Sequence, residues 1–150
     1  MLIFVEGIDK TGKDTLVRYI NELTNYKYCV MTRGPLSAAV YAEKFEREFD
    51  DSCLNVLKDS LIIYLTADTQ DLDIRFKLTN EPEINKDEDK KLFDRVITFY
   101  TSKLCLKTVR VNTSVHTPYE IALKIKKYLE EEEKNAKDKQ RWSFKTKDGH

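Results

Sequence analysis

One stretch decides the fold of this chain: Ile3-Phe4-Val5-Glu6-Gly7-Ile8-Asp9-Lys10-Thr11-Gly12-Lys13-Asp14-Thr15. The apolar run Leu2–Val5 predicts a short buried strand. Gly7 and Gly12 then bracket four residues, and Lys13 follows directly. Glycines allow positive φ, successive N–H groups form an anion nest, and the following helix adds its positive N-terminal end. This order, G-x-x-x-x-G-K, predicts a phosphate-binding loop in which Lys13 supplies the mobile cation.

One position departs from that pattern. A Ser or Thr normally follows the lysine and places its hydroxyl on Mg²⁺, whereas Asp14 and then Thr15 follow here. A carboxylate is a good Mg²⁺ ligand, although it brings negative charge close to a polyphosphate. We therefore predict Asp14 as the metal ligand.

Composition narrows the class of protein. The chain has 150 residues, which predicts one domain with one good core. Its 26 basic and 26 acidic residues cancel, so no strong nucleic-acid or membrane affinity is expected. The apolar runs are far shorter than the about 20 residues of a membrane span. The predicted strand at the N-terminus leaves no room for a signal peptide, so we expect a cytoplasmic protein. The three cysteines, Cys29, Cys53 and Cys105, are widely spaced, and we expect them to be reduced thiols in the core or on the surface.

Strands and helices alternate along the chain. Ser37 is predicted to cap a helix, and Thr117-Pro118-Tyr119-Glu120 is a predicted capping box. This alternation predicts a three-layer α/β fold, with a short parallel sheet of about four strands and helices on both faces. Strands are expected near 2–5, 28–31, 61–65 and 109–111, and helices near 13–24, 37–49, 53–57, 72–76, 92–100 and 118–129.

Two polar segments interrupt the pattern. Residues 79–91 are charged and contain Pro82, so they are predicted to form a loop that acts as a mobile lid. Residues 130–150 begin with four glutamates and become rich in lysine, which predicts a fraying helix and a disordered tail. Trp142 and Phe144 are its only bulky apolar residues, and the alternative is that they dock on a partner or on the body.

Several stretches resemble the thymidylate kinase family of phosphate-loop kinases. Residues 6–13 resemble its F-x-E-G-x-D-x-x-G-K loop, and Arg33-x-x-x-Ser37-x-x-x-Tyr41 is similar to its D-R-Y-x-x-S-x-x-A-Y segment. Residues 61–75 resemble its strand and lid-entering helix, and 93–129 its closing part with the loop that contacts adenine. The resemblance makes 1–129 a nucleotide kinase-like domain and leaves 130–150 as a charged extension.

Two features depart from the family. A strand–helix unit that helps to hold the nucleoside monophosphate is missing before the Arg33 segment, and the Asp of D-R is Thr32 here. An alternative alignment places Thr32-Arg33-x-Pro35 on the family's T-R-E-P segment. We prefer the first alignment because Ser37 and Tyr41 also match.

The cations have functional interpretations and plainer alternatives. Lys13 is predicted to bind the β- and γ-phosphates. By resemblance, Lys10 steadies the phosphoryl group in flight, and its alternative is a solvated loop lysine. Arg33, at a strand end, suits the acceptor phosphate, since its planar fork matches phosphate geometry; the alternative is a surface arginine. Arg75 and Lys77 would close on the phosphates, or they are helix-face charges.

Other side chains carry weaker signals. Asp9 would contact the substrate sugar or a metal-bound water, or it shapes the turn. Tyr41 and Phe45 would stack on a base, although core packing is the preferred interpretation. His116 is expected to be a loop residue. The nucleotide-binding residues predicted are Gly7, Asp9, Lys10, Thr11, Gly12, Lys13, Asp14 and Thr15, and the catalytic ones are Lys13, Lys10, Arg33 and Arg75.

The resemblance implies ATP- and Mg²⁺-dependent phosphoryl transfer to a small-molecule acceptor, a deoxynucleoside monophosphate with dTMP first. Two alternatives stay open: a nucleoside or polynucleotide kinase on the same fold, and a degenerate nucleotide-binding module without turnover. The oligomeric state is also open, with a homodimer as one option.

Overall fold

The computed structural model describes residues 1–79 and 86–148, with side chains at 1–79 and 87–139. Four parallel strands form one sheet in the order β2-β1-β3-β4. The predicted α/β class and sheet are therefore confirmed. The strands are β1 (Leu2–Glu6), β2 (Cys29–Thr32), β3 (Ser60–Thr66) and β4 (Lys107–Asn112).

Helices cover both faces of the sheet. They are α1 (Lys13–Leu23), α2 (Pro35–Lys44), α3 (Thr69–Leu78), α4 (Lys86–Lys103), α5 (Pro118–Asp148) and a 3-10 helix (Asp51–Asp59). Alternate residues of a strand point to opposite faces. Ile3 and Val5 of β1 therefore pack with α1 and α5, whereas Phe4 packs with α2, α3 and α4. The two central strands are buried on both sides, which explains their unbroken apolar sequences.

The start of α2 differs from the prediction. The helix begins at Pro35 with Gly34 as its N-cap, so Ser37 lies inside the first turn and is not the cap. Ser37 is buried, and its hydroxyl donates a hydrogen bond to the carboxylate of Glu6 on β1. Its role is therefore a tertiary contact, which a local capping pattern cannot distinguish from a cap.

The predicted lid and tail also differ in part. Residues 86–91 are the first turns of α4, because their charged side chains suit an exposed helix face, and residues 80–85 lie outside the described part. α5 continues to Asp148, where a fraying helix and a disordered tail were expected. Glu133 fastens this extension, since it accepts hydrogen bonds from Lys27 Nζ at 2.7 Å and from the Tyr28 hydroxyl.

Some predictions of detail are settled by the side chains. Of the two hydrogen bonds of the predicted capping box, the structure shows the one from the Glu120 N–H to Thr117 Oγ1, at 3.2 Å. All three cysteines are free and exposed, so they are surface thiols. The side chains of Trp142 and Phe144 lie outside the described part. Within the described chain, no helix combines the length and apolar character needed to cross a membrane.

Candidate phosphate-binding site

The turn between β1 and α1 forms the predicted phosphate loop, residues 7–12. Gly7 has φ +150°, Gly12 has φ +91° and Lys10 has φ +68°. A Cβ atom on Gly7 would lie 2.6 Å from the carbonyl oxygen of Leu65 and 2.8 Å from Thr11 Oγ1. The loop therefore needs glycine at this position for two reasons, its backbone angle and its closeness to β3.

Gly7→Ala is expected to destabilise the protein by about 3 kcal/mol, since the added methyl meets backbone that cannot move. Gly12→Ala is the matched control, because a Cβ there would have only Pro118 Cγ nearby, at 3.7 Å. Its cost, from the left-handed backbone alone, should be about 1 kcal/mol. Urea unfolding of both variants measures the difference. Equal destabilisation would contradict the steric explanation.

Lys13 lies beneath the loop and is 8% exposed. Its Nζ donates hydrogen bonds to the carbonyl oxygens of Gly7, at 2.8 Å, and Ile8, at 2.6 Å. Burial, together with the Arg33 guanidinium, lowers the pKa of Lys13 to about 8, although nearby carboxylates act in the opposite direction. A bound phosphate would favour the charged ammonium, so the loop holds a cation ready for an anion.

A cleft of about 520 Å³ lies at the mouth of the loop, and we call it the phosphate cleft. The tertiary structure brings residues of the loop, the first turn of α1 and the end of β2 to its walls. Arg33 reaches across from the end of β2 and forms an ion pair with Asp9 of the loop. The lining residues are Asp9, Lys10, Gly12, Lys13, Asp14, Thr15, Thr32 and Arg33.

Two predicted nucleotide-binding residues serve the loop itself. Gly7 does not line the phosphate cleft, and neither does Thr11, which is buried and donates a hydrogen bond from Oγ1 to the carbonyl oxygen of Ile8 at 2.8 Å. Both residues shape the backbone nest.

Arg75 lies away from the phosphate cleft, which differs from the expectation that it closes on the phosphates. Its guanidinium donates to the carbonyl oxygen of Lys10 at 2.7 Å, and to Oγ1 and the carbonyl oxygen of Thr113 at 3.2 and 3.3 Å. Arg75 therefore ties the phosphate loop to the turn after β4. Lys77, on the same helix, is exposed.

A second cavity, of about 310 Å³, adjoins the loop on this side, and we call it the base cavity. It shares Lys10 and Gly12 with the phosphate cleft. Its lining residues are Lys10, Thr11, Gly12, Arg75, Leu78, Thr79, Thr113 and Pro118.

The remaining candidates divide between core and surface. Tyr41 is half-buried, with its ring edge-on to Phe93 at 5.8 Å, so core packing holds for it. Phe45 is 53% exposed, so core packing is wrong there. His116 faces the Glu120 carboxylate at 3.7 Å, a partner one helical turn away along the chain.

The sequence reasoning gave no role to Glu6, which the structure buries completely at the end of β1. Its carboxylate accepts hydrogen bonds from the Ser37 hydroxyl and the Gly34 N–H, yet burial still raises its pKa. A glutamate that directly ends an apolar strand was the available signal.

This sheet order, with a G-x-x-x-x-G-K loop between β1 and α1, defines a phosphate-loop nucleotide kinase-like fold. Among solved structures, the chain is similar to the YorR protein of Bacillus subtilis in complex with phosphorylated GDP. The TM-score is 0.69 at 20% identity, over 89% of this chain and 98% of that chain. It is also similar to thymidylate kinase from Candida albicans, with a TM-score of 0.55 at 13% identity, over 88% of this chain and 92% of that one.

No protein-family model matches the sequence, and no curated protein matches it. At these identities the structural likeness shows the shared fold. The kinase-like part of the predicted resemblance is therefore confirmed at the level of the fold, and membership of the thymidylate kinase family stays a prediction.

Proposed function

We propose that this protein is a nucleotide kinase that transfers a phosphoryl group from ATP to a deoxynucleoside monophosphate, with dTMP as the first candidate. One observation carries the proposal: Lys13, at the start of α1, and Arg33, directly after β2, line one cleft of about 520 Å³. Phosphoryl transfer requires two phosphates, one from the donor and one from the acceptor, to meet in such a space.

The donor fits the loop side of the cleft. The N–H groups of the phosphate loop and Lys13 would hold the polyphosphate, as loops of this sequence do. The base cavity supplies an apolar surface from Leu78 and Pro118, with the Arg75 guanidinium beside it. Because Lys10 and Gly12 line both cavities, we place the base of the nucleotide in one and its outer phosphates in the other.

The acceptor fits the β2 side of the cleft. Arg33 already faces a carboxylate, that of Asp9, and an acceptor phosphate would take the place of this anion. Lys10 lines the same cleft as Lys13 and Arg33 and would neutralise charge on the phosphoryl group as it moves. The protein's work is thus positioning and charge neutralisation.

Mg²⁺ fits the oxygen-bearing side chains at the N-terminal end of α1. Among the described side chains, no three or more His, Cys, Asp or Glu residues gather into a metal cluster. Mg²⁺ usually takes one or two carboxylates together with substrate phosphates. Asp14 would supply the carboxylate, with Thr15 and Thr32 on the same walls. When bound, the ion would neutralise charge on the phosphate oxygens.

A panel of acceptors with ATP and Mg²⁺, read by coupled ADP release, tests the proposal. It contains dTMP, dGMP, GMP, thymidine and a 5′-hydroxyl oligonucleotide, with Lys13→Ala protein as the background. The guanine nucleotides are included because YorR is described with phosphorylated GDP. Turnover with dTMP supports the proposal. Turnover confined to thymidine or the oligonucleotide favours the second kinase class, and ATP binding without any turnover favours the non-catalytic module.

The Asp14 and Thr32 positions give a sharper test. Both line the phosphate cleft, one at the start of α1 and one at the end of β2. The family pattern has a hydroxyl at the first position and a carboxylate at the second, whereas this chain has the carboxylate of Asp14 at the first and the hydroxyl of Thr32 at the second. Asp14→Ser should therefore weaken Mg²⁺-dependent nucleotide binding about tenfold, and adding Thr32→Asp should restore part of it, because coupled neighbours are non-additive.

Titrations of ATP with and without Mg²⁺ on both single variants and the double variant measure this coupling. Tighter Mg²⁺·ATP binding in Asp14→Ser alone, or simple addition of the two effects, would show that Asp14 does not compensate for Thr32. The non-catalytic interpretation would then gain support.

A further inference from the structure

Glu6 is a buried carboxylate for which the proposed chemistry has no direct use. Its exposed fraction is 0%, and it is not among the residues that line the phosphate cleft. Within the described chain, Oε1 has no hydrogen-bond partner, whereas the Ser37 hydroxyl donates to Oε2. Burying a carboxylate with an unpaired oxygen costs free energy, which the contacts with its neighbours must offset.

Those neighbours form the turn at residues 33–37, which we call the Arg33 turn. Arg33 has φ +62°, a left-handed conformation that is unfavourable for a residue with a side chain. Its N–H donates to the carbonyl oxygen of Val5 at 3.0 Å. Gly34 lies against Phe4, where a Cβ would be 2.4 Å from the ring. Two adjacent residues of β1 therefore fix the entry to the turn.

Glu6 is the third consecutive residue of β1 to hold this turn. Its carboxylate accepts the Gly34 N–H and the Ser37 hydroxyl, and so it contacts both the N-cap residue and the first turn of α2. The carboxyl group also lies at the N-terminal end of α2, where the helix dipole favours its charged form and burial opposes it. A strained residue keeps its conformation only when its surroundings fix it from several sides.

We infer that Glu6 is a positioning residue for the acceptor phosphate: its buried carboxylate fixes the Arg33 turn, and the turn holds the Arg33 guanidinium across the phosphate cleft. This inference rests on the proposed function for its kinetic consequence. The same strand, β1, then carries both halves of the site, since its end leads into the phosphate loop and its last three residues hold the Arg33 turn.

Glu6→Gln and Ser37→Ala test this inference, because each changes one partner of the hydrogen bond between the Ser37 hydroxyl and the Glu6 carboxylate. Glu6→Gln preserves the shape and an acceptor oxygen but removes the charge. Ser60→Ala is the matched control, because Ser60 is also buried but lies on a different strand, β3. Its hydroxyl donates a hydrogen bond to the carbonyl oxygen of Val56 at 2.9 Å. All three variants should remain folded.

The KM for the acceptor should rise about tenfold in Glu6→Gln and in Ser37→Ala, as expected for one hydrogen bond to a charged group. The dissociation constant for ATP should stay within about twofold, since the phosphate loop is untouched. The double variant should lose less than the product of the two effects, and Ser60→Ala should match the parent. An unchanged acceptor KM, or equal losses for ATP and the acceptor, would overturn the inference.

Amide hydrogen exchange separates this inference from the proposed function. The N–H groups of Arg33 and Gly34 should lose protection in Glu6→Gln but not in Ser60→Ala, whether or not any acceptor is phosphorylated. If the parent protein shows no turnover, loss of protection still supports the positioning role while the proposed function fails. Unchanged protection at both amides would overturn the positioning role itself.

Discussion

Lys13→Ala protein should bind ATP about a hundredfold more weakly than the parent, or not measurably, because the charge-assisted hydrogen bonds of the ammonium to the outer phosphates are lost. The backbone nest should survive this change. Lys13 donates two hydrogen bonds to the loop, to Gly7 and Ile8, and its burial as a cation is itself unfavourable. The fold should therefore remain intact.

Titration calorimetry with Mg²⁺·ATP measures the affinity, and far-ultraviolet circular dichroism measures the fold. Lys58→Ala provides the control, because Lys58 is an exposed lysine on the 3-10 helix, away from the loop. If Lys13→Ala retained the affinity of the parent, the phosphate loop would not be the nucleotide site, and the proposed function would lose its foundation.

The second large effect is expected at Arg33. Arg33→Ala should lower kcat/KM for the acceptor about a hundredfold, since one arginine fork supplies two charge-assisted hydrogen bonds to the acceptor phosphate. ATP affinity should change little, because Arg33 lies on the β2 side of the cleft. Arg33→Lys should recover only part of the loss, since an ammonium cannot reproduce the planar fork.

Arg95→Ala is a matched control for this variant. Arg95 pairs with Glu43 at 2.5 Å on the surface, as Arg33 pairs with Asp9, and the side chains of both pairs are about half exposed. Steady-state kinetics with ATP and the acceptor varied in turn would separate the two substrates. A loss confined to ATP would move Arg33 to the donor side and favour the alignment with T-R-E-P. Activity equal to that of the parent would make Arg33 a surface arginine.

Local patterns predicted most of the fold. Buried parallel strands are continuous apolar runs, and helices repeat their apolar residues every three or four positions, so both signals lie within a few neighbouring residues. The ends of elements were less well predicted. The first part of the α5 extension, residues 130–135, is polar throughout, and Glu133 accepts hydrogen bonds from Lys27 and Tyr28, which are distant in sequence. No local pattern contains such a contact.

The site was predicted where its chemistry is contiguous in the sequence. The residues from Gly7 to Thr15 form one loop and one helical turn, so their spacing alone indicates a phosphate nest with Lys13 beneath it. Arg33 was predicted less directly, from its place at a strand end. Arg75 was assigned to the phosphates, whereas its partners are Lys10 and Thr113, on two other elements.

By itself, then, the sequence determined which strands and helices follow one another along the chain, the phosphate loop and the cation within it. Each of these depends on residues that are close together in the chain. Only the tertiary structure decided that Asp9 meets Arg33, that Thr32 and Asp14 share one cleft, and that Glu6 accepts a hydrogen bond from Ser37 of α2. These contacts form because parallel strands bring their carboxyl ends to one edge of the sheet. Which side chains meet there depends on the order of the strands in the sheet, and periodicity along the chain does not encode that order.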